Sequence, residues 1–212
     1  MSVNLSLEAY PIQSARWPSS GRHILAQFDR ETIIVYQAYR PEIGHSAARH
    51  GRFGDGFSLN RMSWIKPNFL WMMYRSGWGT KPGQEVVLAI RLRRSGFEEI
   101  LAQAVHSTFD PRVYRSNELW KKAVSTSPVR LQWDPDHHPS GAKEERRAIQ
   151  LGLEGAALRR YVDEWTIEIE DISGFVAGQR QVLTTKGADA LVIPAEQVYP
   201  VAEKEVAGRL GL

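Results

Sequence analysis

Cysteine is absent from the chain of 212 residues. That removes disulfides, thiolate metal ligands and a cysteine nucleophile, and it fits a reducing compartment. No apolar run approaches the roughly 18 residues that a membrane helix needs. The N-terminus, MSVNLSLEAYPIQSARWPSS, has no basic head followed by an apolar segment, so no signal peptide is expected and a cytoplasmic location is. Four common signatures are missing as well: G-x-x-x-x-G-K-[ST], G-x-G-x-x-G after a strand, G-x-S-x-G and H-E-x-x-H. Their absence sets aside P-loop ATPases, most Rossmann dehydrogenases and the usual serine hydrolases. Internal repeats and low-complexity tracts are lacking too.

What is present is the composition of a globular protein: 42% hydrophobic, 24% charged and 10% aromatic residues, with a net charge of +3. A chain this long can bury a core without covalent staples. The basic excess is mild but uneven. Between Arg61 and Arg94, Glu85 is the single acid among many cations, which permits an anionic partner such as a nucleotide or nucleic acid.

Short β-branched and aromatic runs, HILAQF (23–28) and TIIVYQAY (32–39), read as strands joined by a turn. Pro41 and Gly51 bracket a helix, and Pro67 opens another that Gly77 stops. EVVLAIRL (85–92) is the clearest strand. Ser95 and Glu98 have capping-box spacing, so a helix is expected over 96–105. A helix over 115–124 follows, then strands at PVRLQW and RAIQLGL, a helix at EGAALRRYV, a strand at EWTIEIEDI and a last one at ALVIP. Strands and helices mix without strict βαβ alternation, which predicts an α+β fold with mixed or antiparallel sheets and flanking helices. The expected organisation is a loose N-terminal arm over 1–20, a single domain over 21–202 and a C-terminal tail over 203–212. Residues 134–146 read as an insertion or flexible crossing.

Four stretches could carry chemistry. WDPDHHP gathers Asp134, Asp136, His137 and His138, but adjacent histidines rarely converge on one ion, so a polar loop and no metal is the expectation. EWTIEIEDI places Glu164, Glu168 and Glu170 on one strand face and Trp165, Ile167 and Ile169 on the other. Those carboxylates either form a solvated face or stabilise a cationic transition state. VYQAY sets Tyr36 opposite Gln37 and Tyr39. Residues 61–78, RMSWIKPNFLWMMYRSGW, are aromatic and basic. Phe69, Leu70, Met72 and Met73 suit the inner face of a helix, whereas Trp71, Arg75 and Trp78 share another stripe. Ahead of Pro67, Arg61, Ser63, Trp64 and Lys66 lie near the helix N-terminus, where amide dipoles, a hydroxyl and a cation suit phosphate and Trp64 suits stacking on a base.

RMSWIKPNFLWMMYRSGWGTKPGQEVVLAIRL, with HILAQFDRETIIVYQAY before it and AIQLGLEGAALRRYVDEWTIEIEDI after it, closely resembles the bacterial and fungal family called domain of unknown function 4291. More distantly, VYQAYRPEIGHSAARHGRF followed by RMSWIKP resembles the ADP-ribosyltransferase fold. That likeness implies NAD as substrate, held by Tyr36, Gln37, Tyr39, Arg61, Ser63, Trp64 and Lys66. Gln37 stands where that fold carries Arg or His, with Arg22 or His23 a candidate substitute. Glu168 or Glu164 would be the catalytic carboxylate beside the nicotinamide ribose. Trp71, Arg75 and Trp78 would meet an acceptor, which could be DNA, RNA or protein. Two other functions stay open on the residues alone: a non-catalytic nucleic-acid-binding module using the basic aromatic face, and a structural or protein-interaction domain.

Overall fold

The run TIIVYQAY becomes an eight-residue strand at the heart of the molecule, and the other elements are arranged around it. The computed structural model describes residues 4–54 and 56–212. In chain order the elements are β1 (Leu7–Ala9), α1 (Tyr10–Ser14), β2 (Gly21–Arg22), β3 (Leu25–Ala26), β4 (Thr32–Tyr39), α2 (Pro41–His50), β5 (Ser63–Ile65), α3 (Phe69–Ser76), β6 (Val86–Arg93) and α4 (Arg94–Gln103). They continue with β7 (Ala104–His106), α5 (Asn117–Thr126), β8 (Val129–His137), β9 (Lys143–Leu153), α6 (Gly155–Arg160), a π turn (Tyr161–Trp165), β10 (Thr166–Asp171), α7 (Ser173–Lys186), β11 (Val192–Pro194), β12 (Gln197–Val198) and α8 (Lys204–Leu210). This is a mixed α+β architecture. None of the described helices is long and apolar enough to cross a membrane.

Two sheets carry the structure. One is antiparallel, in the order β10-β6-β4. The other has five strands, β2-β9-β8-β7 with β5 beside β2 along the outer edge of β9, and it mixes parallel and antiparallel pairings. The antiparallel sheet is buried on both faces. Ile33, Val35, Leu88, Ile90 and Leu92 enter one core with Phe97, Leu131, Ile149 and Leu151. Ile34, Tyr36, Val87 and Ala89 enter a second core with Phe69, Met73, Ile172 and Val176. Burial on both faces is why VVLAI reads as a continuous apolar run and not as an alternating one.

Local signals act where neighbours allow. Asp29 accepts from Glu31 N–H and Thr32 N–H to close the turn into β4. Gly51 ends α2 with φ 66°. The expected Ser95 cap does not form. α4 begins at Arg94 because β6 runs directly into it, and Glu98 instead accepts from Tyr199. Residues 134–146, expected as a flexible crossing, largely extend the β8–β9 hairpin, which turns only over 138–142. The alternation expected in EWTIEIEDI is broken by a bulge between Thr166 and Glu168. Ile167 is 47% exposed as a result, and Glu164 falls in the π turn.

Among the described residues, the segments near both ends are packed onto the fold. β1 pairs with β11, and Tyr10, Gln13 and Trp17 are buried. At the other end, α8 buries Val206 and Leu210. Glu196, in the short connection between β11 and β12, holds several of these parts together. Its carboxylate accepts from Phe69 N–H at 2.6 Å and from the Asn68 amide at 3.1 Å. Its own N–H donates to Gln13, and Trp17 donates to its carbonyl. Burial pushes the carboxyl well above its ordinary range, yet it is bonded on both oxygens. Removing it strands two buried donors, at about 1–3 kcal/mol each. Glu196→Ala is therefore expected to lose about 2–4 kcal/mol in urea denaturation, and Glu196→Gln, which keeps one acceptor, less than half of that. A loss below about 0.5 kcal/mol for the alanine variant, the range of an ordinary surface change, would contradict this role.

Candidate functional site

A single pair of backbone hydrogen bonds builds the site. Tyr36 N–H donates to Lys66 O at 2.7 Å and Lys66 N–H donates to Tyr36 O at 3.2 Å, which tacks the end of β5 onto β4 and so joins the two sheets. Strand alternation then turns Tyr36 into the second core, where its ring meets Phe69 edge-on, and turns Gln37 the other way, toward Ser63.

Gln37 is 3% exposed and fully bonded. Its amide donates to Ser63 Oγ at 2.8 Å and to Trp64 O at 3.2 Å, and its oxygen accepts from Tyr161 at 2.8 Å. The Tyr39 hydroxyl lies 3.0 Å from Ser63 Oγ. Burial pushes the hydroxyls of Tyr39 and Tyr161 above their ordinary range, so this wall is neutral and rich in hydroxyls. Trp64 sits opposite Gly152 of β9. A Cβ at that glycine would lie 3.0 Å from the indole and 2.5 Å from Met62 Sδ, so the missing side chain makes room for both.

Gln37, Tyr39, Met62, Ser63 and Trp64 line a cavity of about 440 Å³ together with Arg40, Ile43, Phe57, Arg61, Lys66, Arg75 and Gln84, with Tyr161 and Gly152 behind that wall. That volume lies in the range of roughly 300–1,000 Å³ usual for small-molecule sites. Among the described residues of its lining there are four cations and no carboxylate. Lys66 is 6% exposed. Burial, and next the neighbouring Arg75 guanidinium, push its amine down to about 8, with Asp134 pulling weakly the other way.

The structure thus brings together Gln37, Tyr39, Arg61, Ser63, Trp64 and Lys66, and adds Arg75. It separates the rest of the expected set. Tyr36 faces the other core. Arg22 pairs with Asp110 at 2.8 Å beside a different hollow. Glu168 is held by Arg91 and Asn4, and Glu164 by Arg160, and neither lines the cleft. The helix N-terminus is closed to phosphate. Pro67 precedes α3, Asn68 caps it by accepting from Trp71 N–H at 2.6 Å, and Glu196 takes Phe69 N–H. The stripe of Trp71, Arg75 and Trp78 is divided. Trp71 is buried and stacks with Tyr74 and His137, Trp78 packs against Phe69, and only Arg75 reaches the cleft. In WDPDHHP, Asp136 forms a buried ion pair with Arg146 at 2.8 Å. Arg40 and Tyr161 had no local signal as site residues. Arg40 follows β4 by one residue, and Tyr161 arrives from a distant turn.

A family model described as domain of unknown function matches residues 23–199. The chain belongs to this family, and the match takes in every residue of the cleft. No curated protein matches the chain.

The depressed Lys66 amine makes stability depend on pH in a known direction. Below about pH 8 the folded and unfolded chains both carry the proton, and the buried charge costs its full penalty. From there to 10.5 the unfolded chain binds more protons than the folded one, so stability rises with pH. Lys66→Met is expected to be more stable than the natural chain at pH 7, by at most about 3 kcal/mol. The advantage should shrink as pH rises and be nearly gone at pH 10 in urea denaturation. An equal difference at both pH values would show that the amine is not held in a desolvated site.

Proposed function

We propose that this family member binds a phosphate-bearing nucleotide in the cleft between β4, β5 and α3. The observation that supports this most is the lining: Arg40, Arg61, Lys66 and Arg75 surround one cavity whose described lining holds no carboxylate, and of the four Arg40 alone has a described ion-pair partner, Glu42 at 3.6 Å. A planar guanidinium suits bidentate pairing with phosphate oxygens, and Arg61 and Arg75 are exposed enough to turn toward a ligand. Trp64 offers a ring for a base. The hydroxyls of Ser63 and Tyr39, 3.0 Å apart, are the groups we assign to the ribose, with Gln37 holding Ser63 in place.

NAD is the nucleotide we put forward, on the likeness of β4, α2 and the Ser63 strand to the ADP-ribosyltransferase pattern. The proposal is one of binding. Transfer of ADP-ribose would need a carboxylate beside the nicotinamide ribose, and Glu164 and Glu168 are engaged elsewhere. Binding of single-stranded nucleic acid on an open aromatic face is less favoured, because Trp71 is buried and Trp78 is half-buried against the second core.

Calorimetry with NAD, ADP and orthophosphate at low salt tests this reading. NAD and ADP should bind with a one-to-one stoichiometry and orthophosphate more weakly. A charge-assisted hydrogen bond contributes about 1.5–3 kcal/mol, so Arg61→Gln and Arg75→Gln should each weaken ADP about 10- to 150-fold. Arg180→Gln, in α7 and outside the cleft lining, should leave the affinity unchanged. Absence of heat with both nucleotides would overturn the proposal.

A further inference from the structure

Holding a phosphate by charge calls for a protonated amine, and the surroundings of Lys66 disfavour one. Its backbone is fixed on both sides by the bridge to Tyr36, and Pro67 follows it, so the side chain cannot swing out with its strand. It lines the cleft while 94% of its surface is covered. The Nζ makes no hydrogen bond to any described residue. The charged groups that share its cleft are Arg75 from α3, Arg61 from the segment before β5, and Arg40 after β4. The opposing charge, Asp134 of β8, already accepts from Gln132 at 2.8 Å and Gln150 at 2.7 Å. With its proton affinity lowered to about 8, about a tenth of Lys66 is free amine at pH 7, against less than about a thousandth for an exposed lysine. A desolvated lysine beside another cation is a standard arrangement for an amine nucleophile.

We infer that Lys66 is a nucleophile that condenses with the carbonyl carbon of a phosphate-bearing aldehyde whose phosphate is held by Arg61 and Arg75. The Nζ lone pair adds to the carbonyl carbon, the amine loses a proton and the carbonyl oxygen gains one, giving a carbinolamine. Loss of water then leaves a C=N bond. Amine and aldehyde become imine and water, with no oxidant, reductant or metal required. The inference rests on the reading of the cleft as a phosphate site and adds to the nucleotides a second class of ligand that would compete for it, phosphorylated aldehydes, open-chain sugar phosphates among them.

The probe is pyridoxal 5′-phosphate at sub-millimolar concentration with the full chain, followed by borohydride reduction and peptide mapping. Lys81, Lys121, Lys122, Lys143, Lys186 and Lys204 are all exposed and serve as internal controls. The expected result is an adduct on Lys66 at least tenfold above any of them at pH 7, suppressed by ADP and at least tenfold weaker with pyridoxal, which lacks the phosphate. Its rate should rise with a midpoint near pH 8, and Lys66→Arg should lose it while keeping the circular dichroism of the natural chain. If that variant does not fold, the pH midpoint on the natural chain still decides the matter. Label spread over the exposed lysines with Lys66 unmodified would overturn the nucleophile. If calorimetry still detects nucleotide in that case, the phosphate site survives on its own. Equal labelling of Lys66 by pyridoxal and its phosphate would overturn the assigned ligand class.

Discussion

The bridge between Tyr36 and Lys66 is the contact on which the rest depends. It consists of two backbone hydrogen bonds, and each is worth only about 0.5–1.5 kcal/mol in net stability. Its effect is geometric. Without it the antiparallel sheet and the five-stranded sheet would share an apolar core but have no fixed register. With it, Gln37 meets Ser63, Tyr39 reaches the same hydroxyl, and Lys66 is committed to the cleft. The side-chain network of Tyr161, Gln37, Ser63 and Tyr39 then locks the arrangement, because a buried amide with every group bonded tolerates few alternatives.

The same region shows how anionic groups are apportioned. The N-terminus of α3 favours an anionic or acceptor group on general grounds, and the protein fills that place itself with the Glu196 carboxyl, which accepts from Phe69 N–H. Asp136 likewise neutralises Arg146 inside the fold. Arg61, Lys66 and Arg75 are left in the cleft without a described ion-pair partner, so its positive field is available to something from outside. Low dielectric strengthens that field and also makes it costly. The Lys66 amine, lowered in proton affinity, records that cost.

Much of the fold was legible in the sequence where local preference and tertiary demand agree. TIIVYQAY and EVVLAIRL are β-branched runs long enough to cross the core, and Pro41 and Gly51 bracket α2 as their backbone preferences suggest. The misreadings arose where tertiary contacts decide. Polar residues of WDPDHHP sit in a strand because β9 continues opposite them. Residues 7–17 are tied down because β1 finds the distant edge of β11 and Tyr10 and Trp17 enter the second core. α7 escaped notice because SGFVAGQRQVLTTK has a weak apolar stripe, and Val176 is its one buried residue. A single bulge reversed the faces expected around Ile167. In the site, Ser63, Trp64 and Lys66 were readable because they are contiguous, and Gln37 with Tyr39 because strands alternate. The glutamates were not, since their place depends on which arginine each one meets.

A structure of the chain crystallised with ADP tests the central claim most directly, because it locates the phosphates as well as detecting them. The account predicts the diphosphate within hydrogen-bond distance of Arg61 and Arg75, in the cavity walled by Gln37, Ser63 and Lys66, with the adenine against Trp64. A cleft left empty at saturating ADP, or the nucleotide bound on another face with these arginines still turned to solvent, would contradict it.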